Sequence, residues 1–213
     1  MAVRTYKGKI MQGKFIVIEG GDGVGKGTIV GHLRKSFPEG ALIYTREPGG
    51  TEVGEKVREI LLGCAMLPAT EMMLHFSYRP ELFERIVLPA VRSGKHVIDE
   101  RHIASTYAYQ IVGRECNHLL PGFLAMEHIL GEIIVPDLYI YLDLDPKIGA
   151  ERLKKSGKTL DRFELEGEAF HQRVRKGYLE YFKNHRSIIV DVSRDIAPIL
   201  QDVEEIVRKE TGL

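Results

Sequence analysis

The stretch Phe15-Ile-Val-Ile-Glu-Gly20-Gly21-Asp22-Gly23-Val24-Gly25-Lys26-Gly27-Thr28 constrains the fold more than any other part of the chain. A branched apolar run feeds a glycine-rich turn, and the turn opens directly into a helical pattern. Glycines let successive backbone N–H groups point inward without Cβ obstruction, and the following helix adds its positive end. Lys26 then supplies a mobile charge, so the whole element is built to cradle phosphates. Gly20, Gly21, Asp22, Gly23, Val24, Gly25, Lys26, Gly27 and Thr28 are therefore the expected nucleotide-phosphate contacts.

The rest of the chain repeats the same alternation. Apolar runs at Phe15–Glu19, Leu42–Thr45, His96–Asp99, Leu138–Leu142 and Ser187–Val192 read as strands. Several are continuous rather than alternating, as in strands covered on both faces. Helical patterns lie between them at Lys26–Phe37, Gly54–Gly63, Thr70–Ser93 and Gly167–Asn184, and a final amphipathic segment carries Ile199, Val203, Ile206 and Val207 on one side. This order predicts an α/β chain of the P-loop NTPase fold, with a five-stranded parallel sheet flanked by helices on both faces. All 213 residues are expected in one domain, with an N-terminal extension over residues 1–13 and a lid segment over residues 154–162. The lid is read from basic, flexible Lys154-Lys155-Ser156-Gly157-Lys158, which precedes Asp161-Arg162-Phe163-Glu164.

Several function classes fall away on chemistry. Lysine plus arginine and aspartate plus glutamate both total 30, so the formal charge is zero and nothing drives the chain generally toward nucleic acid or anionic membranes. Cys64 and Cys116 show no metal or redox spacing, and two reduced, partly buried thiols are expected. The eight histidines lack paired-ligand spacing, which argues against zinc. No Gly-x-Ser-x-Gly elbow points to hydrolase chemistry. Residues 1–14 lack the apolar core of a secretory signal, no apolar run spans a bilayer, and a cytoplasmic protein is expected.

Gly27 stands where a phosphate-binding loop usually carries the Ser or Thr that holds Mg²⁺, with Thr28 one place later. The same Gly-Lys-Gly-Thr order resembles adenylate-kinase-like loops. Asp22, Asp99 and Glu100 are the candidate carboxylates for Mg²⁺ bound with ATP.

Further motifs narrow the reading. Thr45-Arg46-Glu47-Pro48-Gly49-Gly50-Thr51 follows the second strand and leads to Gly54-Glu55-Lys56-Val57-Arg58. Glu100-Arg101-His102 closes the third strand and leads to Ser105-Thr106-Tyr107-Ala108-Tyr109-Gln110, then Gly113-Arg114. Pro136-Asp137-Leu138 precedes Tyr141-Leu142-Asp143-Leu144-Asp145-Pro146. In this order, from Phe15 to about Tyr178, the chain resembles the thymidylate kinase family, whose members phosphorylate dTMP with ATP. The resemblance implies that Arg58 and Arg101 hold the acceptor phosphate, a task suited to the planar guanidinium, with Arg46 assisting. It implies that Arg79 reads the base, that Glu47 and Pro48 line the acceptor pocket, and that Ser105, Thr106, Tyr109 and Gln110 lie beside sugar and base. It also implies a homodimer packed through helices.

Departures from the family pattern accompany these matches: the family's Asp-Arg pair after the third strand stands here as Glu100-Arg101, and Gly23 stands where another branch of the family places an arginine. His75 aligns with the phenylalanine that stacks on thymine, and Phe76, one step along, points about 100° away on a helix. Most bacterial-type lid arginines are replaced by Lys154, Lys155 and Lys158, which leaves Arg162 as the expected catalytic cation from the lid, acting with Lys26, Arg101 and Asp22. Two other readings stay open at this point: a kinase of the same fold acting on another monophosphate such as dUMP, and a nucleotide-binding regulatory protein without transfer activity.

Overall fold

The computed structural model describes residues 5–6, 9–10 and 12–213. Most of the expected 1–13 extension lies outside the described residues. Within it, Thr5–Tyr6 pairs antiparallel with Lys9–Ile10.

Five strands make one parallel sheet: β1 (Phe15–Gly20), β2 (Leu42–Arg46), β3 (His96–Glu100), β4 (Leu138–Asp143) and β5 (Ser187–Asp191). Their order across the sheet is β2-β3-β1-β4-β5. Phe15 sits opposite Val97, Ile16 opposite Leu138, and Arg46 opposite Glu100. Every strand matches the sequence expectation to within one residue at each end. β1, at the centre, is buried along its whole length. β5 departs from that pattern, because it is an edge strand that leaves Ile188 and Ile189 exposed.

The two faces of β1 feed different cores. Ile16 and Ile18 pack with Ile29, Leu33, Ile140, Ile199 and Val203, beneath α1 (Lys26–Ser36) and the last helix, α9 (Ile196–Thr211). Phe15 and Val17 face the other way, among Phe83, Ala104, Tyr139 and Tyr178. That side is covered by α2 (Glu52–Gly63), α3 (Pro68–Ser77), α4 (79–92), α5 (103–113), α6 (Leu120–Gly131) and α8 (Glu168–Tyr181). α7 (Pro146–Ser156) follows β4. It starts on an Asp145 cap, whose carboxylate accepts from Lys147 N at 2.9 Å, and ends on left-handed Gly157.

The single helix expected over Thr70–Ser93 is instead broken. α3 stops at Ser77, and Arg79–Leu82, Phe83–Val87 and Leu88–Arg92 follow, the middle one with π-type spacing. Pro80 and Pro89 account for this, since each lacks the N–H that a helix interior needs. Placed in the first turn of their segments, both are tolerated, and the wider π turn absorbs the missing bond before Pro89. Residues Tyr107–Gly113 of α5 are wound the same way, which rotates Tyr109 and Gln110 toward the carboxyl ends of the strands.

α5 and α8 pack backbone to backbone at Gly177. A Cβ added there would lie 2.9 Å from Ala108 Cα and 3.0 Å from Val112 Cβ. Alanine gains about 1 kcal/mol of helix propensity over glycine, but overpacking costs about 1–3 kcal/mol. Gly177→Ala is therefore expected to lower stability by up to about 2 kcal/mol in urea denaturation, and a more stable variant would contradict this packing.

Candidate active site

The carboxyl ends of β1, β2 and β3 open onto a cavity of about 780 Å³. It lies where β1 and β3 send their chains to opposite sides, the usual place for a ligand in an open parallel sheet. Asp22, Gly23, Val24, Gly25, Lys26, Gly27 and Thr28 line it, together with Arg46, Glu100, Arg152, Lys158 and Arg194. Gly20 lies outside that lining. Gly21 faces a second cavity of about 390 Å³ on the α7–α8 side.

The loop needs its glycines. Gly23 has φ 75°, and a Cβ there would meet Gly149 O of α7 at 2.2 Å. Lys26 folds back over the loop and donates to Gly20 O at 3.0 Å and Gly21 O at 2.7 Å. Burial lowers its pKa to about 8, with Arg101's charge adding to the effect and Asp22, Glu100 and Glu19 opposing it. The loop is thus a cationic cradle whose lysine, though lowered, stays mostly protonated at neutral pH.

A smaller pocket of about 90 Å³ adjoins the first. Its lining joins Asp22, Glu47, Pro48, Arg58, His75, Arg101, Ser105, Tyr109 and Gln110, all singled out in the sequence. Leu62, Asp161 and Phe163 line it as well. Asp22, Glu47, Arg58, Arg101 and Asp161 face both cavities, so two guanidinium groups stand at the junction. Arg58 donates to Pro48 O at 3.0 Å. Arg46 is tied to Glu55 at 2.9 Å on the exposed rim.

Arg101 occupies the centre. Its Nη2 pairs with Asp22 Oδ1, while Nη1 donates to Gly20 O at 3.1 Å, Ser105 Oγ at 3.3 Å and Tyr178 OH at 3.1 Å. Tyr109 donates to Asp22 Oδ2 at 2.7 Å, and the Arg101 guanidinium lies 5.2 Å from the Tyr109 ring. Burial pushes the Asp22 pKa upward, but Arg101, Lys26 and the Tyr109 hydroxyl outweigh it, so the carboxyl sits below its ordinary range.

Other residues singled out in the sequence lie elsewhere. Phe76 is a core residue at 1% exposure, packed against Phe123 of α6 at 5.7 Å between ring centres. Thr106 is buried outside the pocket lining. Arg79 lies behind the wall at 1% exposure, its Nε on Glu47 Oε2. Glu47 also accepts from Tyr78 OH at 3.1 Å and contacts His102 Nδ1 at 2.9 Å. Burial raises Glu47, yet Arg79 and His102 bring its carboxyl below the usual range. His75 does line the pocket, 6.4 Å from Phe163 between ring centres; burial and Arg79's charge push it down to about 3, so the imidazole stays neutral.

Several expectations meet a different geometry. Arg162 does not face the phosphate cavity: its Nε donates to Leu61 O, its Nη1 pairs with Glu71, and its guanidinium lies 4.1 Å from the Phe163 ring. Glu71 is a fully buried carboxylate that also receives Gln110 Nε2 at 2.9 Å and Arg114 Nε at 3.1 Å; such a charge requires donors and cations around it. The segment expected as a lid from residue 154 is still helical at its start. Lys154, Lys155 and Ser156 end α7, and the irregular part begins at Gly157. Lys158, from that part, reaches the large cavity.

Asp99 departs from expectation as well. It is fully buried beside Glu47 and His102, with neither carboxyl oxygen paired to a donor, and it lines neither cavity. Asp22 and Glu100 do line the nucleotide cavity. Cys64 also departs from expectation, being exposed, while Cys116 is buried; both are free.

The chain matches the family model described as "Thymidylate kinase" over residues 18–203. It is 40% identical over 207 residues to a thymidylate kinase of Caldanaerobacter subterraneus subsp. tengcongensis, covering 93% of this chain and 97% of that protein. A thymidylate kinase of Thermoanaerobacter sp. is 37% identical over 206 residues, covering 93% and 99%. One of Nitrosomonas europaea is 38% identical over 204 residues, covering 93% and 94%.

Asp99 offers a test by pH. Burial, and then the charges of Glu47 and Glu19, raise its pKa well above the ordinary value. An unfolded aspartate titrates near about 3.9. Between those values the native state holds the extra proton, so stability falls as pH rises. Asp99→Asn removes that penalty. The variant is expected to be more stable than the parent at neutral pH, with the gap widening from about pH 5 to pH 8 in urea denaturation. A gap that stays constant across that range would show an ionised Asp99.

Proposed function

The chain belongs to the thymidylate kinase family, and on that premise we propose how its residues divide the work of transferring the γ-phosphoryl group of ATP to dTMP. It is a nucleoside monophosphate kinase whose products are dTDP and ADP. The observation that carries the division of labour is the junction of two cavities with Arg58 and Arg101 on both linings.

The large cavity takes ATP, its phosphates on the loop amides and Lys26. The small pocket takes the acceptor, with its phosphate toward the junction. Arg58 and Arg101 grip that phosphate with parallel N–H donors. The pyrimidine lies among Pro48, Leu62, His75, Tyr109, Gln110 and Phe163. The attacking group is a phosphate monoester with a second pKa of about 6, already largely ionised at neutral pH. No general base is required. The protein's task is to hold two anions in line, offset their charge and exclude water.

Mg²⁺ fits the donor set of the nucleotide cavity. Asp22 is ionised, Glu100 lines the same space, and Thr28 contributes a hydroxyl-bearing side chain there; hard carboxylate oxygens suit a hard cation. When bound, the ion supplies charge neutralisation on the donor phosphates. With Arg162 engaged by Glu71, Arg101, Arg58 and Lys158 carry the cationic role at the transferred group.

A second copy of the chain is the proposed partner. Ile60 of α2, Leu67 and Met73 at α3, and Leu124 and Ile129 of α6 are exposed apolar residues, and α3 and α6 are packed together through Phe76 and Phe123. Neighbouring apolar side chains of this kind mark an interaction face. Among the described residues, no helix is long and apolar enough to cross a membrane. Two free thiols suit a reducing compartment, in keeping with work in the cytoplasm.

Coupled ADP-release assays with ATP and dTMP test the assignment. Arg101→Ala is expected to lower kcat by roughly 10³-fold, and near-normal turnover would overturn the proposed junction. Arg162→Ala is expected to cost less than about tenfold, because Arg114 and Gln110 still hold Glu71, whereas Lys158→Ala costs more; the reverse ranking would return Arg162 to the chemistry. For the partner, Met73→Glu is expected to shift the mass in light scattering from dimer to monomer, and a parent protein that is already monomeric refutes the shared face.

A further inference from the structure

Strand β1 alternates sides with a period of two. Phe15 and Val17 face the core beneath α5 and α8, so Glu19 faces it as well, and its side chain has 0% exposure. A charge placed there needs a complete set of donors. Glu19 has four. Oε1 accepts from His102 N at 2.7 Å and Ser105 N at 3.1 Å, and Oε2 accepts from Ser105 Oγ at 2.8 Å and Tyr178 OH at 3.0 Å.

His102 N is the amide of the N-cap residue of α5, and Ser105 N, in the opening turn, is shared between Glu19 and His102 O at 3.0 Å; the His102 side chain itself provides no cap bond. Free amides at a helix start are normally satisfied by a side chain of the preceding residue. Here the acceptor is delivered from the neighbouring strand. The residue just before that turn is Arg101, a non-glycine residue at φ 74°. A side-chain-bearing residue holds this left-handed conformation only where its surroundings enforce it. Arg101 N donates to Ile18 O at 2.9 Å. Ile18 and Glu19, adjacent on β1, therefore clamp the turn from both ends. From it the guanidinium reaches Gly20 O and Asp22 of the phosphate-binding loop. Tyr178 completes the frame, donating to Glu19 while accepting from Arg101. Glu19 lines neither cavity, whereas Arg101 lines both.

We propose that Glu19 is a positioning residue for phosphoryl transfer: by holding the amides of His102 and Ser105 it keeps Arg101 in the one turn from which its guanidinium addresses donor and acceptor phosphates together. The proposal rests on the role given to Arg101 above. Displacement of a catalytic group by about an ångström costs about 10²-fold in rate, and that is the loss assigned to Glu19 when its contacts are removed. Glutamine keeps a carbonyl oxygen for the two amides, and its NH₂ meets hydroxyls that are free to rotate into acceptors. Glu19→Gln thus preserves the clamp and loses only the charge.

A double-mutant cycle separates positioning from general destabilisation. Glu19→Ala is expected to lower kcat about 10²-fold with the KM for ATP little changed, and Glu19→Gln to stay within about tenfold of the parent. In an Arg101→Ala background, Glu19→Ala should cost less than about threefold more, because the group it positions is gone. Losses that multiply in the double variant would overturn the proposal, as would full activity of Glu19→Ala. If Glu19→Ala does not fold, the cycle is run with Glu19→Gln; its smaller loss must likewise vanish in the Arg101→Ala background, and persistence would overturn the proposal. Arg101→Ala alone reports separately on the junction: if it is fully active, the role given to Arg101 fails, independently of Glu19.

Discussion

Two polyanions repel one another, and a protein that joins them must place positive charge where both can use it. At low local dielectric a shared guanidinium attracts each phosphate far more strongly than it would in water. In the proposed division of labour Arg101 is that charge, and the two cavities, the phosphate-binding loop and Tyr178 all meet at it. The β1–β3 register puts Ile18 beside Glu100, so the chain leaving β3 crosses the start of the phosphate-binding loop. α5 then turns back along the same edge, and α8 brings Tyr178 to the site.

The cost of this arrangement is charge in the interior. Glu19, Glu47 and Glu71 are each 3% exposed or less, and each is surrounded by donors. Glu47 has Arg79, Tyr78 and His102; Glu71 has Arg114, Arg162 and Gln110. Buried ion pairs of this kind contribute little net stability, since desolvation offsets the Coulomb attraction. They do fix geometry, because removing one partner strands the other. The walls of the smaller pocket are therefore set by ion pairs that lie largely behind its surface, with Glu47 alone among these carboxylates reaching the lining, and Asp99 adds beside one of them a carboxyl whose pKa burial holds well above the ordinary value.

How much of this was legible in the sequence follows from the range of each interaction. The strands and the phosphate-binding loop depend on local pattern and glycine placement, and they appear where the sequence puts them. Arg58 and Arg101 were singled out by the family resemblance rather than by local pattern, and the fold brings both to the junction of the two cavities. Orientation set by tertiary contact was not legible. Phe76 and His75 are adjacent on α3, and only packing against α6 decides which one enters the core. Asp99 and Glu100 are adjacent on β3, and strand alternation sends one into the interior and the other to the cavity. The break in the 70–93 helix was marked by Pro80 and Pro89, a signal outweighed by the long apolar pattern around them.

The lid shows the same limit with more consequence. From sequence, a basic segment beside a nucleotide site is read for its charge, and Arg162 is its only arginine. The fold uses that segment for packing as well. Arg162 fills a vacancy around buried Glu71, and the adjacent Phe163 becomes a wall of the acceptor pocket, 5.8 Å from Tyr109 and 6.4 Å from His75 between ring centres. Gln110 lines that pocket and bonds to the same Glu71. The pyrimidine pocket and the lid thus share one carboxylate. Glu71 holds Gln110 directly, and holds Phe163 through the neighbouring Arg162, so one carboxylate fixes two sides of the smaller pocket. On the proposed division of labour Lys26, Lys158 and the two junction arginines supply the positive charge for the phosphates, which is why a lid with a single, inward-turned arginine is compatible with transfer.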